Sequence, residues 1–159
     1  MKRVLVLCTG NSARSILLES ILNRYGADRL TAFSAGSRPS GSVDAQSLTL
    51  LGDLGYDTRI ARSKSWDEFA RPTAPKMDIV ITVCGSAANE VCPIWPGAPV
   101  RAHWGVEDPA AAVRADWQAE FQTAYDILLN RAMAFLELPV ENMTKADLTS
   151  HLNKVGALT

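Results

Sequence analysis

Val4-Leu5-Val6-Leu7-Cys8-Thr9-Gly10-Asn11-Ser12-Ala13-Arg14-Ser15-Ile16-Leu17-Leu18 is the stretch on which the fold turns. Val4–Leu7 is an apolar run with β-branched content, and it reads as a buried parallel strand that stops at Cys8. Ile16, Leu17, Leu18, Ile21 and Leu22 follow at helical spacing, with Gly26 as the stop. Between strand and helix lies CTGNSARS, in which five residues separate Cys8 from Arg14. A crook that short, curling into a helix N-terminus, can turn the amides of Thr9, Gly10, Asn11, Ser12, Ala13 and Arg14 toward one point. Such amides and the helix dipole favour a tetrahedral dianion. Gly10 tolerates the backbone angles a curl needs, and Asn11 is of the next most tolerant type. Arg14 can offer a two-pronged guanidinium to two oxyanion oxygens. The same positive surroundings favour a Cys8 thiolate, the nucleophilic form. Ser15 is expected to hydrogen-bond that sulfur and ease its departure. The spaced Gly-Lys-Ser/Thr element of a nucleotide-binding P-loop is missing.

Outward from this segment, strands alternate with helices. Thr31–Ala35 reads as a short strand closed by Gly36, and Asp44–Leu54 as a helix with Asp44 as N-cap and Gly55 beyond its end. Ile79–Val83 is a further β-branched run, ending at Cys84, and Pro99–His103 a weak fourth strand. Val113–Leu136 is a long helical pattern, and Thr144–Val155 a last short one with a capping signature at Thr144 and Asp147. The expectation is an α/β fold: one domain over 1–159, three layers α/β/α, with a central, mostly parallel four-stranded sheet. Ligands of such sheets sit beyond the carboxyl ends of the strands, where Cys8 and Cys84 both fall.

Composition bounds the rest. A chain of 159 residues, 47% hydrophobic and 21% charged, suits one soluble core. A net charge of −1 supplies no basic field for nucleic acid, so any anion site must be local. MKRVLVLC turns polar too soon for a signal peptide or a membrane span, which makes the cytoplasm the default location. Three cysteines, an odd number, argue for working thiols over a disulfide framework.

CTGNSARS, with Ser34-Ala35-Gly36 and Asp108-Pro109, resembles the active-site elements of low-molecular-weight protein tyrosine phosphatases and of the arsenate reductases that share their fold. The likeness runs over nearly the whole chain. It implies Cys8 as nucleophile and Asp108 as general acid; taken alone, Asp108-Pro109 reads as a turn. The two branches part after the first attack. A phosphatase hydrolyses its cysteine adduct with water, whereas a reductase needs a second thiol to expel arsenite. The segment from Thr82 to Pro96, holding Cys84 and Cys92, resembles the redox segment of thioredoxin-coupled arsenate reductases. There one cysteine attacks the adduct and the next carries the disulfide outward. Gly85 and the small residues after it suit a segment that loosens. Ala110 stands where the phosphatases usually place an aromatic ring.

The resemblance has departures. Thioredoxin-coupled enzymes often carry a cysteine where this chain has Ala13, and the Cys84–Cys92 gap is one residue longer than in that pattern. A group that uses glutathione and glutaredoxin is similar at CTGNSARS, WPG and HWG, which leaves the electron donor open. The alternatives are a phosphatase acting on aryl phosphates, and an oxyanion-binding or redox-sensing protein without turnover. No organic cofactor is implied. Some family members hold potassium or sodium behind the loop, and the matching positions are Asn11, Glu19, Ser34 and Asp67. Arsenate is the implied substrate, with phosphate and sulfate as mimics, and thioredoxin or glutaredoxin the implied partner. Trp95 and Trp104 flank the site, Trp66 and Trp117 read as core, and Arg59–Lys64 reads as a solvated basic loop.

Overall fold

A computed structural model describes residues 1–90 and 92–159. Four strands form the sheet: β1 (Lys2–Leu7), β2 (Leu30–Ala35), β3 (Ile79–Thr82) and β4 (Val100–His103). Their order is β2-β1-β3-β4, and every pairing is parallel. Five α-helices are described: α1 (Arg14–Tyr25), α2 (Ala45–Asp53), α3 (Gly85–Asn89), α4 (Trp117–Leu136) and α5 (Lys145–Gly156).

The caps match the local chemistry. The Asp44 side chain accepts from the Gln46 amide, and the Thr144 hydroxyl from the Asp147 amide. Helix α4 starts later than the apolar pattern suggested. Arg114–Asp116 forms a 3₁₀ turn first, and Val113 is exposed. The 85–91 stretch, expected to be loose, carries α3 over Gly85–Asn89, while Val91 lies outside the described residues.

Alternation along the strands feeds two apolar layers. Val4, Val6, Ile79 and Ile81 join the larger core with side chains of α1, α4 and α5, among them Leu17, Leu18, Phe121, Leu128, Phe135 and Leu152. Leu5, Leu7 and Val80 face the other way, under Phe69, Met77 and Trp95. Trp104 belongs to the larger core rather than the site: it is fully buried, packs edge-on against Phe135, and donates from Nε1 to the Leu152 carbonyl. Trp95 is buried against Trp66.

The register brings Leu7, Ala35, Thr82 and His103 level at one edge. Cys8 and Gly36 follow immediately, and Cys84 one residue later. Gly36 lies so close to the turn after β1 that a Cβ there would collide with the Thr9 carbonyl oxygen and meet that of Cys8 at 2.7 Å. Both contacts are backbone and cannot swing away. Gly36→Ala is therefore expected to cost about 1–3 kcal/mol, as overpacking does. Chemical denaturation measures it, and an unchanged midpoint would contradict the close approach.

Candidate active site

Strand β1 ends against the β2 edge, where the Cys8 amide donates to the Ala35 carbonyl at 3.2 Å. From there the chain curls into α1, and its carbonyls are drawn outward one by one. Thr9 O accepts from the Arg38 amide, and Gly10 O from the Ser40 amide and the Ser63 hydroxyl. Ser12 O accepts from the Asp44 amide and the Ser47 hydroxyl, and Ala13 O from the Leu17 amide. Asn11 takes a left-handed conformation, φ 45°, which reverses the chain inside the loop. Among the described residues, the amides of Gly10, Asn11, Ser12 and Ala13 donate to no protein acceptor. Four donors in a small curl, with the carbonyls of Gly10, Ser12 and Ala13 engaged elsewhere, make an anion nest.

The loop opens on a cleft of about 510 Å³ lined by Cys8, Thr9, Gly10, Ser12, Ala13 and Arg14 on one side, and by Cys84, Gly85, Ser86, Asp108 and Ala110 on the other. Arg14 is held at the mouth. Its Nη1 donates to the Val106 carbonyl at 2.8 Å, and its Nη2 lies 3.8 Å from Asp108 Oδ2. Its Nε is buried with no protein partner. A guanidinium N–H stranded beside an anion nest is the donor an oxyanion would satisfy. Asp108 caps the 3₁₀ turn Pro109–Ala111, accepting from the Ala110 amide, and its side chain is 46% exposed. Its other oxygen, Oδ2, faces Arg14 at the mouth of the cleft.

Ser15 departs from expectation. Its hydroxyl is fully buried and accepts from Asn11 Nδ2 at 2.9 Å, with no bond to Cys8 among the described residues. The left-handed turn at Asn11 aims its amide at Ser15, so Ser15 fixes the loop rather than the sulfur. The Asn11 side chain is buried behind the loop, with its Oδ1 accepting from the Lys64 amide at 2.9 Å.

A lysine stands beside the positions matched to a cation. The space beside Glu19 and Ser34 holds the ammonium of Lys64, 3.8 Å from Glu19 Oε2 and 3.5 Å from Ser34 Oγ. Asp67 lies in the 3₁₀ turn Trp66–Phe69, and no ion pair joins it to Lys64 among the described residues. No group of three or more His, Cys, Asp or Glu suited to a metal is found among the described residues. The basic stretch splits accordingly: Arg59 and Arg62 pair with Asp57 and Glu68 at the surface, while Lys64 goes inward. No hydrophobic pattern marks Lys64 as buried, and its place follows from tertiary packing alone.

Cys84 caps α3, with Sγ accepting from the Ala87 amide at 3.4 Å and lying 3.6 Å from the Thr9 hydroxyl. That hydroxyl also donates to Glu90 Oε1 at 3.0 Å, a contact invisible in the sequence. Cys8 and Cys84 line the same cleft. Each thiol is the largest influence on the other, which pushes Cys8 above the ordinary thiol range and lowers Cys84. Burial raises each, Arg14 draws Cys8 back down, and the Ala87 amide assists Cys84. The pair thus shares one proton and one negative charge. The sequence placed that charge on Cys8; with Cys84 beside it, the charge belongs to the pair.

Cys92 is not brought to this pair. It is half-buried, its Sγ donates to the Glu90 carbonyl at 3.7 Å, and it lines a separate cavity with Ala87, Ala88, Trp95, Arg101 and His103. Helix α3 lies between the two cavities, with Gly85 and Ser86 facing one and Ala87 and Ala88 the other.

A short nest of amides with an arginine and a paired cysteine, at the carboxyl edge of a parallel α/β sheet, defines a cysteine-dependent oxyanion enzyme class. The family model described as low molecular weight phosphotyrosine protein phosphatase matches residues 3–147, and the chain belongs to that family. Within it, the chain is 35% identical over 138 residues to the arsenate reductase of Halalkalibacterium halodurans, covering 86% of this chain and 96% of that one. A solved arsenate reductase in the intermediate state matches with TM-score 0.67 at 25% identity, over 86% of this chain and 98% of the other. The tyrosine phosphatase Wzb of Escherichia coli K30, in complex with sulphate, matches with TM-score 0.68 at 20% identity, over 86% and 96%. That likeness speaks for the fold alone.

One thiolate per chain is expected at neutral pH. Its ultraviolet absorbance should titrate below the ordinary thiol range, and should move up toward that range in Cys8→Ala. A wild-type protein with no thiolate absorbance at pH 7 would contradict the shared proton.

Proposed function

We propose that the chain reduces arsenate to arsenite. The observation that carries this reading is that Cys8 and Cys84 line one cleft at the oxyanion loop. A phosphatase needs one sulfur and a water. A reductase needs a second sulfur within reach of the first.

Arsenate enters the nest, with its oxygens on the loop amides and on Arg14. With the pair's one proton on Cys84, Cys8 is the thiolate facing Arg14. Cys8 attacks arsenic(V), an As–O bond breaks, and Asp108 protonates the departing oxygen, which leaves as water. Cys84 then loses its proton and attacks Cys8 Sγ. The S–As bond breaks toward arsenic, arsenite leaves as arsenic(III), and a Cys8–Cys84 disulfide remains. Two thiols have supplied two electrons, so the balance closes with no organic cofactor.

The disulfide must be reduced from outside. Cys92 takes over the bond to Cys84 if the relay is internal, and this requires α3 to unwind, since the helix stands between the two cavities. With glutathione as donor, Cys92 is dispensable. Thioredoxin and glutathione with glutaredoxin are the two donor systems whose chemistry fits. Three free thiols suit a reducing compartment, in keeping with a cytoplasmic enzyme. No helix among the described residues is long and apolar enough to cross a membrane.

Aryl phosphate hydrolysis is the second reading, favoured by the shared anion site. Ala110 weighs against it, because a methyl lines the cleft where a ring would stack on the substrate.

Arsenite production, measured with each donor system in turn, tests the proposal. Cys8→Ser and Cys84→Ser are expected to lose at least about a thousandfold in kcat/KM with thioredoxin, as removal of a reacting group does. Cys92→Ser separates the donors: inactive with thioredoxin if the relay is internal, active with glutathione and glutaredoxin. Brisk aryl phosphate hydrolysis without arsenite from either donor would overturn the reductase.

A further inference from the structure

We propose that Lys64 is a positioning residue for the oxyanion loop: its ammonium is a cation built into the chain, holding the loop from behind. The inference rests on the oxyanion-site reading and extends it to a residue outside the cleft.

Lys64 is 8% exposed, unusual for a lysine. Its main chain and its side chain grip different parts of the site. The amide donates to Asn11 Oδ1, and the carbonyl accepts from the Gly36 amide at 2.9 Å. The ammonium donates to the Arg62 carbonyl at 3.2 Å and to Ser34 Oγ, and pairs with Glu19 of α1. One residue therefore ties together the reversal point of the loop, the β2 edge and the helix whose N-terminus faces the anion. Burial pushes the Glu19 carboxyl up and the Lys64 ammonium down, and each charge draws the other back toward the ionised form. Neither is stable there alone. If the ammonium is removed, Glu19, Ser34 Oγ and the Arg62 carbonyl are left as hard oxygen donors around a space of ammonium size. A monovalent cation or methylammonium fits that chemistry.

Inorganic phosphate serves as the binding probe and arsenate turnover as the kinetic one, both in the full chain. The wild type is expected to turn over arsenate equally with and without potassium. Lys64→Ala is expected to bind phosphate about tenfold more weakly and to raise KM more than it lowers kcat, the scale of losing hydrogen bonds from a charged group. Potassium or methylammonium should restore the affinity in Lys64→Ala but not in Lys64→Ala with Glu19→Gln. If Lys64→Ala fails to fold, Lys64→Met with Glu19→Gln keeps the volume without either charge. That pair should lose phosphate affinity and gain nothing from added cation. Wild-type phosphate affinity in a folded Lys64 variant would overturn the inference, as would loss of affinity that no cation restores while Glu19 is present. Potassium activation of the wild type would overturn it too. A wild type that binds phosphate without reducing arsenate would instead sink the proposed function and leave the role of Lys64 standing.

Discussion

An amide nest is an unfavourable object until something fills it. Several backbone N–H groups must point at one another, and their carbonyls must go somewhere. In this chain the carbonyls decide the matter. Thr9, Gly10 and Ser12 hand theirs to the amides of Arg38, Ser40 and Asp44, with Ser63 and Ser47 adding hydroxyls. The chain segment after β2 therefore acts as an outer wrap, and the N–H groups turn inward for want of any other direction. Asn11 closes the curl from behind, bonded to Ser15 on α1 and to Lys64 beyond β2. The close pass of Gly36 against Cys8 and Thr9 belongs to the same constraint.

The nest alone would serve a phosphatase equally well. What distinguishes this molecule is the register of the sheet. Leu7 and Thr82 are level on neighbouring strands, so the two cysteines that follow them arrive at the same edge. Cys84 is then held by capping α3, and it lines the same cleft as Cys8. In the proposed reaction one proton between two thiols lets each be a nucleophile in its turn: Cys8 toward arsenic, then Cys84 toward Cys8. Placing a negative charge between them keeps the pair reactive at neutral pH without making both sulfurs ionise together. Cys92 lines a separate cavity beyond α3, so in the proposed internal relay it joins only after that helix gives way.

Much of this was legible in the sequence where local rules apply. The β-branched run before Cys8, the helical spacing after it, and the caps at Asp44 and Thr144 report their own geometry. So did the edge placement of Cys8 and Cys84, because strand ends are readable. What failed depends on contacts across the fold. Ser15 was assigned to the sulfur, yet a left-handed Asn11 takes it. Lys64 sits among charged surface residues in sequence, and only β2 and α1 together bury it. Trp104 looked like a site wall, while the larger core claims it. The charge on the thiols is likewise a property of the pair, and no single segment carries it.

The most direct measurement is a single turnover without any donor. Fully reduced protein is mixed with excess arsenate, and arsenite and free thiols are counted together. The account predicts one arsenite per chain, the loss of two thiols, and a Cys8–Cys84 disulfide in the peptide map of Cys92→Ser. Arsenite without thiol loss, or thiol loss and bound arsenate with no arsenite, would contradict it.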